Sequence, residues 1–135
     1  MAITYFSANK LLDYNFGQTS YSVPTSLYFG LSTTSINIDG TGATEVSGGA
    51  YGRVALVNNK TNWGTASNAS LTNSAAVQFP ESTASWGTIV TVFISDASSA
   101  GNIWWYDALS PSRTVASATT VLFAIGAITV QMSNS

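Results

Sequence analysis

The sequence predicts an all-β fold: an antiparallel β-sandwich or jelly-roll-like barrel of about 7–8 strands, with one short N-terminal helix. Three observations carry that prediction. After Pro24, β-branched and aromatic residues gather in short runs, the composition that suits a pleated, half-buried surface. Between the runs lie INIDGTGATEVSGG, NNKTNWGTASNAS and SDASSAGN, whose Gly, Ser, Asn and Asp residues favour turns. Helical patterning occurs once, before Pro24. At 135 residues the chain reads as one domain over 1–135, long enough to bury a core without staples.

The helix is expected at about 7–16. Ser7 supplies an N-cap hydroxyl, which can accept a bond from an open amide of the first turn. Phe6 and Leu11 have the spacing of a hydrophobic staple. Leu11, Leu12 and Phe16 form an apolar stripe, and Gly17 is a natural stop. A helix of about ten residues does not stand alone in water, so it must pack on its own sheet or on a neighbour.

Strands are expected at 26–33, 51–58, 74–79, 87–95, 102–109, 119–125 and 127–132. In 87–95, Ile89, Thr91 and Phe93 share one face and Val90, Val92 and Ile94 the other. Apolar residues on both sides mark a central strand covered on both faces. In 127–132, Ile128, Val130 and Met132 alternate with Thr129 and Gln131, the pattern of a strand with one wet face.

The stretch GNIWWYDAL at 101–109 places two tryptophans side by side. On a strand they point to opposite faces, so one belongs in the sandwich and the other against a neighbouring subunit, another element or the helix. Ile103, Trp105 and Leu109 share a parity broken by Asp107. Trp104, Tyr106 and Ala108 carry no charge and are therefore expected to form the inner face. Trp63 and Trp86 lie in Gly/Ser/Thr-rich surroundings, as a sugar-stacking platform does; burial of the large ring in a core or subunit interface is the better expectation. The interface candidates are Trp104, Trp105, Tyr106, Trp63, Trp86, Phe6, Leu11 and Phe16.

Charged residues make up only 7% of the chain and the net charge is -2. No basic patch for nucleic acid is legible, and interface cores share this scarcity of charge. No run reaches the ~18 apolar residues of a membrane span, and MAITYFSANK lacks the pattern of a secretory signal. With no histidine and no cysteine, the commonest general base and the thiolate ligands are missing.

The obvious carboxylate pair is Asp96 and Asp107. Asp96 reads as a turn-capping residue and Asp107 as the polar member of a strand, paired with an arginine. IDGTGATEVSGG lacks the lysine of a phosphate loop, and Asp39 with Glu45 supplies too few ligands for a calcium loop. The sequence therefore predicts no enzyme, no catalytic residue, no cofactor and no metal. Arg53 and Arg113 are expected to pair with Glu45, Glu81 or Asp107, within the chain or between subunits.

The segments NKLLDYNFG (9–17), SLYFGLST (26–33), EVSGGAYGRVAL (45–56), AAVQFPESTASWGTIVTVFISDASSAGNIWWYDAL (75–109) and TTVLFAIGAITVQMS (119–133) occur in this order. Together they resemble a family of small tailed-bacteriophage proteins usually labelled tail fibre protein. The SGG-x-Y-x-R and FP-x-x-T-A-S-W-G-T elements carry most of the resemblance; the polar loop at 58–73 and the aromatic 103–106 depart from it. The resemblance implies a virion structural protein made in the bacterial host cytoplasm. A compact chain without a shaft fits a decoration, or cement, protein on the capsid exterior, bridging capsomers and touching the major capsid protein. The alternative is a tail fibre or tail-tip appendage that contacts tail proteins and binds the host surface, with aromatic contacts to carbohydrate as one means. In either place the chain is expected to self-associate as a trimer or a dimer, without nucleic acid or membrane.

Overall fold

The computed structural model describes residues 1–132. In chain order the elements are β1 (Ala2–Ile3), α1 (Tyr5–Asn15), β2 (Ser26–Ser32), β3 (Val54–Val57), β4 (Ser70–Thr72), β5 (Val77–Gln78), β6 (Gly87–Ser95), β7 (Ile103–Val115), β8 (Leu122–Phe123) and β9 (Thr129–Gln131). The fold is all-β with one short N-terminal helix, as the sequence predicts. Five antiparallel strands form the main sheet in the order β1-β7-β6-β2-β3, and β4-β9 and β5-β8 form two small sheets.

β6 lies at the centre of the main sheet, where its doubly apolar pattern belongs. On one face Phe29, Leu31, Leu56, Val92 and Ile94 form the core with Trp63, Val77, Phe79, Trp86 and Ile128. Leu71 of β4, Phe123 of β8 and Val130 of β9 close this layer from above. The buried Asn73 pins it: its side-chain amide donates to the Ala75 and Ala124 carbonyls and its oxygen accepts from the Ile128 amide. A buried amide so fully satisfied avoids the desolvation penalty of an orphan. The opposite face is covered by α1 and the connection from Thr33 to Glu45. There Phe6 meets Trp104 edge-on at 5.4 Å, and Thr91 Oγ1 donates to the Thr34 carbonyl.

Gly30 in the middle of β2 is explained by its neighbour. It stands directly opposite Phe93, and a Cβ there would lie 2.2 Å from Phe93 Cζ. The Phe93 ring occupies the space that any side chain at position 30 would need.

Several expectations are corrected. The helix cap is Thr4, whose Oγ1 accepts from the Ser7 amide at 3.4 Å and donates to the Ile103 carbonyl at 2.7 Å. Ser7 is buried inside the first turn instead. Of the expected stripe Leu11 is half-buried, whereas Leu12 and Phe16 face solvent. The face turned to the sheet is the one that carries Phe6 and Ser7.

The register of β6 against β7 shifts between Ile89 and Thr91. A bulge reverses the alternation locally, so Ile89 joins Val92 and Ile94 in the core while Thr91 and Phe93 face the other way. The strands expected at 51–58, 74–79, 119–125 and 127–132 shorten to Val54–Val57, Val77–Gln78, Leu122–Phe123 and Thr129–Gln131. β1 and β4 arise in segments without a strand pattern, and β7 continues through Ser110-Pro111 to Val115.

Candidate functional site

The two sequence elements that carry the family resemblance fold onto each other. In the first, Arg53 directs Nε to Glu45 Oε1 at 2.7 Å and Nη2 to Glu45 Oε2 at 2.8 Å. Its Nη1 reaches Ser95 Oγ at 3.0 Å and the Ala97 and Ala100 carbonyls at 2.7 and 2.9 Å. The guanidinium lies 5.1 Å over the Phe93 ring. Such a planar fork suits bidentate pairing and ring stacking at once. The Tyr51 hydroxyl donates to Glu45 Oε1 at 2.8 Å and accepts from the Leu31 amide at 2.9 Å. Burial works against the Glu45 carboxylate, but the hydrogen bonds from Arg53 and Tyr51 and the Arg53 charge hold its pKa below the ordinary 4.5. Burial and the facing Glu45 push the Tyr51 hydroxyl far above its usual range.

The second element docks on the glycines of the first. Trp86 Nε1 donates to the Gly49 carbonyl at 2.9 Å, and the Thr83 amide reaches the same oxygen at 3.0 Å. Gly49 has φ +57, and a Cβ there would lie 2.9 Å from Trp86 Nε1. Position 49 thus needs both the left-handed backbone and the missing side chain. Tyr51 stands edge-on to Trp86 at 5.4 Å and stacks on Phe79 at 6.1 Å. Ser82 Oγ donates to the Ala116 carbonyl at 2.6 Å. Both elements therefore build the framework.

The other expected pairings differ. Glu45 is the Arg53 partner within the chain. Among the described residues Arg113 and Glu81 enter no ion pair, and exposed Asp107 approaches only the Met1 ammonium, at 3.8 Å. Asp96 caps the β6–β7 turn: Oδ1 accepts from the Asn102 amide at 2.8 Å, and Oδ2 from Asn102 Nδ2 at 3.0 Å and Trp104 Nε1 at 3.2 Å. Partial burial opposes the charge, but these bonds hold the Asp96 pKa below the ordinary 3.8. No group of three or more potential metal ligands occurs among the described residues, and no helix is long and apolar enough to cross a membrane.

The tryptophans divide as a strand requires. Trp105 packs against the main core. Trp104, 7% exposed, lies on the other face against Phe6 and Tyr21. The expected inner set of Trp104, Tyr106 and Ala108 is corrected: the core side is that of Trp105 and Leu109. Tyr106 is half-buried, opposite Phe93. Trp63 and Trp86, at 6% and 4% exposure, belong to this chain's own core and offer no free ring to a subunit or a sugar.

Among the described residues, two features offer apolar surface to a partner. The first is the outer end of α1, where Phe16 is 81% and Leu12 55% exposed. The second is a cleft of about 410 Å³ over the core side of the main sheet, lined by Leu27, Asn59, Lys60, Trp63, Leu71 and Trp105. Trp63 Nε1 in its wall is buried and without a hydrogen-bond partner, an arrangement that is rare in native interiors. The sequence flags Phe16, Trp63 and Trp105 singly. Leu27, Leu71 and Lys60 carry no signal, because β2, β4 and the connection before β4 come together only in the fold.

No curated protein matches the chain. It does match the family model described as Gp80, podophage GP4 fiber I protein gp80, over residues 2–131. With nearly its whole length matched and both resemblance elements built into the framework of the fold, the chain belongs to the Gp80 family of podophage fibre proteins.

Proposed function

We propose that this chain is a non-enzymatic structural subunit of the podophage fibre, carried on the tail of the virion and made in the bacterial host cytoplasm. The family match over residues 2–131 is the observation that carries the reading. The use of the ionisable groups supports it: Glu45 is committed to Arg53 and Tyr51, and Asp96 to its turn. Neither carboxylate is placed as a free general acid or base. The partners in this reading are tail proteins and further copies of the chain, as a trimer or a dimer.

A second reading, a decoration protein bridging capsomers on the capsid exterior, draws support from the compact sheet-on-sheet build without a shaft. Gold-labelled antibody on intact particles separates the two. Label confined to the tail, at a few copies per particle, is the expected result. Label covering the head at high copy number replaces the fibre reading with decoration. Unlabelled particles overturn both.

A further inference from the structure

We propose that the outer end of α1 in one copy seats in the cleft beside Trp105 of a second copy, with Phe16 as the inserted side chain and Asp13 facing Lys60. The inference deepens the structural-subunit reading by naming the surface through which copies meet. Leu12 in the last turns of α1 and Phe16, the C-cap residue whose amide donates to the Leu12 carbonyl at 2.8 Å, stand together at the outer end of the helix. They are the exposed apolar ridge of a helix whose opposite face is already used on Trp104. The cleft is lined mainly by apolar side chains and measures about 410 Å³, within the range of about 300–1,000 Å³ typical of pockets that enclose a ligand. An aromatic side chain fits within it.

Charge selects the partner. Asp13 sits beside the ridge and enters no ion pair among the described residues. Lys10, the nearest cation on the helix, is turned over the Phe6 and Tyr21 rings. The last turn of α1 contains no basic residue, so its negative end is uncompensated. Across the cleft, exposed Lys60 bonds the Gly64 carbonyl at 3.1 Å and enters no ion pair among the described residues. An acidic helix end and a basic cleft rim thus meet as knob meets hole. The ridge and the cleft lie on opposite faces of the main sheet, so the contact joins two copies heterologously and closes a ring or extends a row according to the rotation per step.

The test uses the full chain. Sedimentation over a concentration series measures association, and a zero-length carbodiimide cross-linker followed by peptide mass spectrometry reads which carboxylate meets which amine. The expected results are concentration-dependent association and an Asp13–Lys60 cross-link between copies. F16S should raise the concentration of half-association by about tenfold or more, given the apolar area a phenylalanine buries. D13K and K60D should each weaken association, and D13K/K60D should restore it. Phe16 is exposed, so F16S keeps the wild-type melting temperature and a loss of association is not a loss of fold. A chain monomeric at every concentration overturns the proposal. So does association that F16S leaves unchanged, or association in which no cross-link joins Asp13 of one copy to Lys60 of another. Particle labelling is independent: tail label on a monomeric chain removes this contact and leaves the fibre reading standing.

Discussion

The two faces of the main sheet are built from the same strands and by different chemistry. On one, Phe29, Leu31, Val92 and Ile94 meet the small sheets through hydrocarbon alone. On the other, Gly30, Ser32, Thr91, Phe93 and Ser95 meet a helix, a guanidinium and a network of hydroxyls. Apolar packing tolerates exchanges of similar volume. A bidentate ion pair over a ring does not, because each donor has one geometry that satisfies it. SGG-x-Y-x-R ties the two faces together: Arg53 is bound on the polar side over Phe93, while Tyr51 packs with Phe79 and Trp86 on the core side and sends its hydroxyl to Glu45. The neighbouring tryptophans repeat the lesson, with Trp105 on the hydrocarbon side and Trp104 bonded to Asp96 on the polar side.

The largest way to break the contrast is to remove the centre of the polar face. Arg53→Met strips Glu45 of its ion-pair partner, leaving it the Tyr51 hydroxyl, and takes the guanidinium donors from the Ala97 and Ala100 carbonyls; it should destabilise the chain by about 3 kcal/mol in urea unfolding. A volume-conserving change on the hydrocarbon side, Leu31→Met, should weaken it by less than about 1.5 kcal/mol. Gly30→Ala comes next, at about 2 kcal/mol, since the new methyl meets Phe93 Cζ and a packed interior yields little. Thr4→Ala removes a cap that also ties α1 to β7, and should cost about 1 kcal/mol.

The acid profile gives the smallest effect and sharpens the comparison. Glu45 and Asp96 have folded pKa values below their ordinary 4.5 and 3.8. The unfolded chain therefore binds more protons in this window, and stability falls as pH falls. Their contribution is complete above those ordinary values and is lost as pH drops through the lowered ones. A titration of melting temperature against pH should show this loss in the wild type. Arg53→Met should flatten the share that belongs to Glu45.

Much of the architecture was legible because it rests on local pattern. The apolar residues on both sides of 87–95 place that strand in the sheet centre, and the adjacent tryptophans must part to opposite faces. What escaped depends on contacts distant in sequence. Thr4 is the cap and Ser7 is not, because the Ile103 and Ile38 carbonyls complete the helix start. β7 continues to Val115 because β6 pairs with Arg113, Thr114 and Val115, although the strand expected from the sequence ends at 109. Asp107 misdirects the choice of inner face: it stands opposite Val92 yet remains exposed, beyond the cover of the small sheets. The Arg53–Glu45 pair was one of several options, and it is selected by the bridge that lays Glu45 beside Ser32.

In the proposed division the buried aromatics serve folding, and the exposed end of α1, with the cleft beside Trp105, serves assembly. Oxidative footprinting of the free chain and of intact particles tests that division most directly. It predicts that Phe16 and Trp105 are modified in the dilute free chain and protected in the particle, with Phe93 and Trp86 protected in both. Equal modification of Phe16 in the two states would contradict it.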